Sequence, residues 1–513
     1  MKRAGPRVLA AAAGALDGLC WLPIGLGPVA PLFALLWFRA LRSARDGRQA
    51  LQVGVWFGVV RYTVAGHFIL SLARYSPLAV ALFALYVAYI VPFALLESWG
   101  AHTLARRTRI GAPFWGTLLF AFLEWTRTLG EVSFPADLVA HDLAPFPEWL
   151  AWTRWLGPFS TTLLIFGSGA LLDAAWERRR TPRPAAALAA AGIALWLSPW
   201  ADPSPRPRLL RDVLHVALLQ TAVDPMTKLD RSRWPDTWRR LEELTVQAAP
   251  GTDLVVWPET ARPGAVVWDE SEAFGDPQVE RISRAAGVPI LYGCQIVRMG
   301  GRGVRLYNGA ALVRPDGTAA QWYGKQRLLP FAEGVPYGAA FGFDPSRRAT
   351  REGDRSTLRL LGNFSPGPEP TLFVVGPARI GVMICYEGAY PRTARIYRAR
   401  GANLLAALTD DGWWKDTLFP RWHATMVATR AVETGLPVIR SANGGASTLT
   451  DDEGRTRRPS GGSNAAVKRV RVELAGAEPT GYVRFGEVPL AIGAAIASGL
   501  ALLAVRSASG TSP

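Results

Sequence analysis

The first two hundred residues alternate long apolar runs with short polar breaks, and after about residue 205 the pattern changes. A helix needs about 20 mostly apolar residues to cross the hydrocarbon core of a bilayer. Seven stretches approach that length, at about 7–23, 24–41, 51–70, 76–97, 111–129, 157–175 and 184–201, and an eighth, EVPLAIGAAIASGLALLAV, follows at 487–505. Between about 208 and 482 the apolar runs are short, rich in branched side chains and bounded by turn formers, as in VLHVALLQ, TDLVVWPE, VPILYGCQIV, RIGVMICYE and ANLLAALTDD. These read as strands. Amphipathic stretches such as DTWRRLEELTVQAA and FPRWHATMVATRAVETG lie among them and read as helices. The mixture predicts an α/β sandwich whose sheets are covered by helices. The pattern thus divides the chain into a membrane block of about seven helices over 1–205, a soluble block over 206–483, and a last span with a short polar tail over 484–513. Segment 344–370, rich in Arg, Pro and Gly, reads as an irregular loop.

Charge gives the blocks an orientation. The chain has 513 residues and a formal charge of +16, but its cations sit in clusters between apolar runs. That argues against a nucleic-acid groove, which needs one continuous basic face. Lys2, Arg3 and Arg7 start the chain; Arg42, Arg45 and Arg48 follow the second run; Arg106, Arg107 and Arg109 follow the fourth; Arg178, Arg179, Arg180 and Arg183 follow the sixth. These are the loops that share a side with the N-terminus. An alternate loop, 130–156, instead carries Glu131, Asp137, Asp142 and Glu148. The positive-inside rule then places both termini in the cytoplasm and the soluble block on the outer face. The start, MKRAGPRVLAAAAGALDGLC, resembles a signal peptide, but further apolar segments follow at once and it reads as the first span. Asp17 and Arg61 fall within predicted spans, where they can pair or snorkel.

Three cysteines, Cys20, Cys294 and Cys385, are widely spaced and odd in number. They form neither a metal motif nor a full disulfide framework, and no metal or cofactor is expected. Three strand-like runs end in reactive side chains: TDLVVWPE in Glu259, AAQWYGK in Lys325 and RIGVMIC in Cys385. Acyl transfer through a covalent intermediate needs a nucleophile, a base and a donor for the oxyanion, which Cys, Glu and Lys can supply. Each also has a plainer reading, as a loop cap, a solvated cation and a small core residue.

The surrounding words favour the chemical reading. VVWPETARPG, YGKQRLLPFAEGVPYG and GVMICYEGAYP resemble the three signature blocks of the nitrilase, or carbon–nitrogen hydrolase, superfamily. Together with the flanking spans, the arrangement resembles the apolipoprotein N-acyltransferase family. The resemblance implies a nitrilase-like αββα sandwich fused to a membrane domain of about eight helices. It implies Glu259 as general base, Lys325 as oxyanion stabiliser and Cys385 as nucleophile, with Glu333, Tyr386 and Glu387 in support. Tyr386 would lend its backbone N–H to the oxyanion and gate the site with its ring. It further implies a phospholipid acyl donor, a diacylated apolipoprotein acceptor, a bacterial inner-membrane location, no nucleic acid and a monomer.

Departures from the family pattern concern recognition. Gln220-Thr221-Ala222 replaces the usual Gln-Gly-Asn, Leu229 replaces a Trp with Trp234 farther on, and DDGWWK from Asp410 replaces Asn-Asp-Ala-Trp-Phe-Gly. Trp413, Trp414 and Phe419 either dip into a membrane interface or pack within the domain. Two other functions fit the same composition. One is a membrane-anchored amidase or nitrilase acting on a small amide; the other is a transporter or scaffold with an inert nitrilase-like domain.

Overall fold

The computed structural model describes residues 5–201, 209–301, 303–318, 320–341, 364–457 and 464–509, so most of the loop expected at 344–370 lies outside the described residues. The chain forms two compact units. One comprises 1–128, 137–205 and 484–513; the other comprises 206–483 together with Leu129–Ala136.

The first unit is helical. Its main helices are Pro6–Trp21, Pro31–Ser43, Gly47–Gly66, Leu78–Thr108, Ala112–Thr126, Phe159–Glu177, Pro182–Leu197 and Val488–Ser509. Among the described residues four helical segments, Gly47–Arg74, Leu78–Thr108, Phe159–Glu177 and Pro182–Ala201, are long and apolar enough to cross a membrane. Helices at the first, second and fifth predicted spans are shorter, at 16, 13 and 15 residues. Proline explains the first boundary. Leu22, just before Pro23, is extended, the conformation a following proline imposes, and the helix stops at Trp21. The charges noted within the spans pair with each other. Arg61 Nε lies 2.8 Å from Asp17 Oδ2, with both side chains buried. Tyr62 accepts hydrogen bonds from Arg61 at 3.2 Å and Arg127 at 2.8 Å.

The second unit contains two sheets. Strands β1 (Leu209–Gln220), β2 (Leu254–Val256), β3 (Ala265–Asp269), β4 (Ile290–Met299), β5 (Arg305–Val313), β6 (Gln321–Gly324) and β13 (Ala466–Ala475) make one. Its order is β13-β1-β2-β4-β5-β6, with β3 also paired to β4. Strands β7 (Leu372–Val375), β8 (Ala378–Ile384), β9 (Leu404–Asp410), β10 (Val438–Asn443), β11 (Thr448–Thr450) and β12 (Thr456–Arg457) make the other, in the order β12-β11-β10-β9-β8-β7.

Period-2 alternation assigns the faces. Leu214, Val216 and Leu218 of β1 pack in one core with Ile380, Val382 and Ile384 of β8 and Leu404, Ala406 and Leu408 of β9, so this core joins the two sheets. The intervening Ala217 and Leu219 pack instead with Leu241 and Ala248 of helix Trp234–Ala248 and with Val279 and Ile282 of helix Pro277–Ala286. On the far side, Gly381 leaves room for Tyr397 of helix Pro391–Ala399, and Gly388 leaves room for Val427 of helix Phe419–Thr434. The layers run helix, sheet, sheet, helix, the αββα sandwich expected from the sequence.

Candidate active site

The reactive residues follow the ends of strands from both sheets. Glu259 comes three residues after β2, Lys325 directly after β6 and Cys385 directly after β8. Close backbone packing holds the first of these. A Cβ at Gly293, in β4, would lie 2.6 Å from the Glu259 Cα, so only glycine lets β4 pass beside the Glu259 backbone. Lys325 is gripped from both sides, donating its N–H to the Asn308 carbonyl at 2.8 Å and accepting from Gly367 N at 2.8 Å.

Cys385 adopts φ +50°, a left-handed conformation that non-glycine residues rarely take. The turn ends β8 abruptly and leaves the thiol half-buried at the edge of the inter-sheet core. Backbone strain of this kind persists where the surroundings enforce it, and here Glu387 is the enforcer. Its Oε2 accepts from Ile384 N at 2.9 Å. Its Oε1 accepts from the Tyr323 hydroxyl at 2.8 Å, Gln326 N at 2.8 Å and Arg327 N at 3.1 Å. One fully buried carboxylate thus ties the cysteine turn to the segment that follows Lys325.

Asn308 of β5 organises the other carboxylates. Its Nδ2 donates to Glu259 Oε1 at 2.8 Å and to Glu333 Oε1 at 2.7 Å. Glu333 also pairs with the Lys325 ammonium, at 2.8 Å for Oε2 and 2.9 Å for Oε1, and accepts from Leu329 N. The second Glu259 oxygen accepts from Asp410 N at 2.9 Å. Behind Cys385, His423 Nε2 is 3.3 Å from its carbonyl oxygen, and His423 Nδ1 is 2.8 Å from Asp411. Arg440 holds the other Asp411 oxygen.

Burial and mutual charge shift the site's protonation. Burial pushes the Glu259 carboxyl above its ordinary range, Lys325 opposes this, and Glu333 adds to it. Burial also pushes the Cys385 thiol well up, reinforced by Glu259 and opposed by Lys325. For Lys325, burial disfavours the ammonium, but Glu333, Cys385 and Glu259 outweigh it and hold the group above its usual value. Cys385 and Lys325 therefore each feel one another and Glu259, and Glu259 feels Lys325. The lysine that sequence alone allows to be a solvated cation is 1% exposed.

The Tyr386 side chain is buried, with its hydroxyl 3.3 Å from the Ser133 carbonyl oxygen and its ring beside Phe134 and Tyr390. Trp414 and Phe419 pack together, with ring centroids 4.4 Å apart, and Phe419 lies 5.4 Å from both Trp422 and His423. For these two aromatics packing within the unit is what is observed. Asn308, Tyr323 and His423 were not singled out from the sequence. For Asn308 a signal existed: a polar, strand-disfavouring residue inside the apolar run LYNGAALV.

Residues 215–481 match the family model described as carbon-nitrogen hydrolase. Residues 13–171 match the apolipoprotein N-acyltransferase N-terminal domain. The apolipoprotein N-acyltransferases of Azotobacter vinelandii and Pseudomonas putida are each 31% identical to this chain over 528 residues. The matches cover 98% of this chain and 95% and 97% of those proteins. The enzyme of that name from Geobacter metallireducens is 30% identical over 292 residues, 56% of this chain and 53% of the relative. Among solved structures, a Saccharomyces cerevisiae member of branch 10 of the nitrilase superfamily aligns with TM-score 0.38 and 17% identity, covering 52% of this chain and 93% of that one. An amidase from Nesterenkonia sp. aligns with TM-score 0.36 and 17% identity, covering 56% and 98%.

Proposed function

The chain belongs to the apolipoprotein N-acyltransferase family, and from that premise we propose a two-step acyl transfer on Cys385. In the first step the thiol sulfur attacks the ester carbonyl of a membrane phospholipid as Glu259 takes the S–H proton. The carbonyl electron pair moves onto oxygen, where the Lys325 ammonium and the Tyr386 backbone N–H stabilise it. Collapse breaks the ester C–O bond, Glu259 returns the proton to the leaving lysophospholipid alcohol, and an acyl thioester remains. In the second step the neutral α-amine of a diacylglyceryl-cysteine attacks the thioester carbon. The C–S bond breaks, Glu259 accepts the amine proton and passes it to the leaving thiolate, and both the thiol and the Glu259 carboxylate are restored. Such a sequence has ping-pong kinetics.

Protonation at the site supports these roles. A buried carboxyl with a raised pKa is better matched to a thiol proton than an exposed one. A thiol held protonated at rest is spared adventitious oxidation and alkylation. The observation that carries acyl transfer over amide hydrolysis is the N-acyltransferase-type domain at 13–171, joined to a site in which Lys325 interacts with both Glu259 and Cys385. Both substrates are held in lipid. The reading therefore includes about eight spans, both termini in the cytoplasm and the catalytic unit on the outer face of a bacterial inner membrane, working as a monomer.

Intact-mass measurement after incubation with phospholipid vesicles tests it. One acyl mass is expected on the wild-type chain, none on Cys385→Ser, and loss of the adduct when a diacylated lipopeptide is added. Normal lipopeptide acylation by Cys385→Ser, or ammonia release from small amides without any acyl transfer, overturns it.

A further inference from the structure

Behind the proposed general base lies an ion pair that the triad does not include. Lys228 Nζ is 2.6 Å from Asp410 Oδ2, and the two side chains are 14% and 7% exposed. The same ammonium reaches the Glu259 carbonyl oxygen at 3.2 Å and Thr260 Oγ1 at 3.4 Å. Asp410 in turn donates its backbone N–H to Glu259 Oε2 at 2.9 Å. Glu259 is therefore held at both ends by one pair, its carbonyl by Lys228 and its carboxylate by the backbone of Asp410.

The pair is itself braced. Asp410 Oδ1 accepts from Asn443 Nδ2 at 2.7 Å and from Gly412 N at 3.0 Å. Asn443 Oδ1 accepts from Thr221 Oγ1 and Val223 N, both at 2.8 Å. The Trp234 indole donates to the Lys228 carbonyl at 3.1 Å. Thr221 and Asp410, two of the departures noted in the sequence, both join this brace. Asp410 carries a charge, and that charge meets Lys228.

We propose that Lys228 and Asp410 form a positioning pair that fixes the Glu259 carboxylate and sets the pH at which it becomes a base; this inference rests on the acyl-transfer reading above. The charged and titratable groups around Glu259 are Lys325, Glu333, Cys385 and Asp410, with Lys228 compensating Asp410. The Asp410 charge favours the protonated form of Glu259. Neutralising it lets Glu259 ionise at lower pH. Removing Lys228 leaves the Asp410 charge uncompensated and has the opposite effect. A role confined to packing gives no such reversal of sign.

The test measures the single-turnover rate of Cys385 acylation from phospholipid vesicles between pH 5 and 9, on purified full-length protein. Its variants are Asp410→Asn, Lys228→Met and the double variant. The acid limb is expected to move to lower pH in Asp410→Asn, to higher pH in Lys228→Met, and back toward wild type in the double variant. Lys228→Met is expected to lose on the order of 10- to 100-fold in rate at pH 7, the range associated with a misplaced catalytic group. Limbs that stay put, or move in the same direction in both single variants, overturn the proposal. If Lys228→Met is recovered unfolded, the direction of the Asp410→Asn shift alone decides. If the wild-type chain takes no acyl group on Cys385, the acyl-transfer reading itself fails, a result distinct from a wild-type adduct with unmoved limbs.

Discussion

The Asn308 amide nitrogen stands 2.8 Å from a Glu259 oxygen and 2.7 Å from a Glu333 oxygen, bridging two carboxylates that would otherwise repel. Lys325 supplies the cation for both, and the Asn308 amide ties them directly together. Asn308→Asp replaces that donor with a third anion. The acylation rate should fall by about 10²-fold or more. Asn308→Ala should fall less, because it removes the bridge without adding charge. Single-turnover mass measurements on both variants check the order; equal losses would show that the bridge matters only as packing.

Glu259 couples activity and stability to pH in opposite directions. Its native pKa lies above the ordinary value, chiefly through burial, and it must be ionised to act as base. Acylation should therefore fall with decreasing pH at a point above the usual carboxylate range. For stability, the folded state holds this proton more tightly than the unfolded chain does. The resulting contribution is fully present below the unfolded pKa of about 4.3 and is lost as pH rises through the higher native value. Glu259→Gln cannot suffer that loss. Its thermal midpoint should exceed that of the wild type at pH 8, with the difference vanishing near pH 4, although the variant is inactive at both.

Glu387 is expected from the sequence to help set protonation and position, and its contacts assign it mainly the second task. Three backbone N–H groups and one phenol converge on a carboxylate with no exposed surface. Glu387→Ala strands these donors, and each buried unsatisfied group costs about 1–3 kcal/mol. The expected result is a chain several kcal/mol less stable, with the turn at Cys385 relaxed. Glu387→Gln keeps one acceptor oxygen but sets an NH2 group against a donor, so an intermediate loss of stability is expected in denaturant titrations.

The reading from sequence worked where short-range pattern carries the information. Short branched apolar runs such as TDLVVWPE and RIGVMICYE mark strands whatever they pack against, and the residue following such a strand is displayed at a sheet end. What the pattern could not reveal depends on residues far apart in the chain. Asn308 meets Glu259 across 49 positions and Lys228 meets Asp410 across 182, and neither pairing leaves a periodic trace. The spans show the same limit. Mean apolarity locates the runs, but prolines at 23, 28 and 31 shorten the helices within them.

Ala222 illustrates a local cost that the sequence does suggest. It replaces the usual family Asn and has φ +51°, a region where alanine is strained while asparagine and glycine are tolerated. Ala222→Gly relieves the strain but frees the unfolded chain, whereas Ala222→Asn relieves it with less of that penalty. Both should stabilise, Asn more than Gly, by about 0.5–1 kcal/mol. Thermal unfolding in detergent measures the order; a destabilised Ala222→Asn would mean that relief of the backbone strain is not what limits stability here.

Tyr386, the residue next to the nucleophile, separates two roles that one side chain could serve. Its hydroxyl is 3.3 Å from the Ser133 carbonyl oxygen, and the Tyr390 hydroxyl reaches the same oxygen at 3.3 Å and Ser133 Oγ at 2.9 Å. Its ring meanwhile packs against Phe134 and edge-on against Tyr390. If the ring is what holds the turn that presents Cys385, Tyr386→Phe keeps that packing and loses the hydrogen bonding of the hydroxyl, so acylation should drop only a few-fold. Tyr386→Ala removes the ring beside a residue already held at φ +50°, and the acylation rate should fall by about 10²-fold, the scale set by displacing a reacting atom by an ångström. A gate that must swing open predicts the reverse for the first variant, since freeing the hydroxyl from Ser133 would loosen the gate and speed entry of the lipid. Comparing the two variants in acylation and in lipopeptide release decides between a wedge and a gate, and a faster Tyr386→Phe would favour the gate.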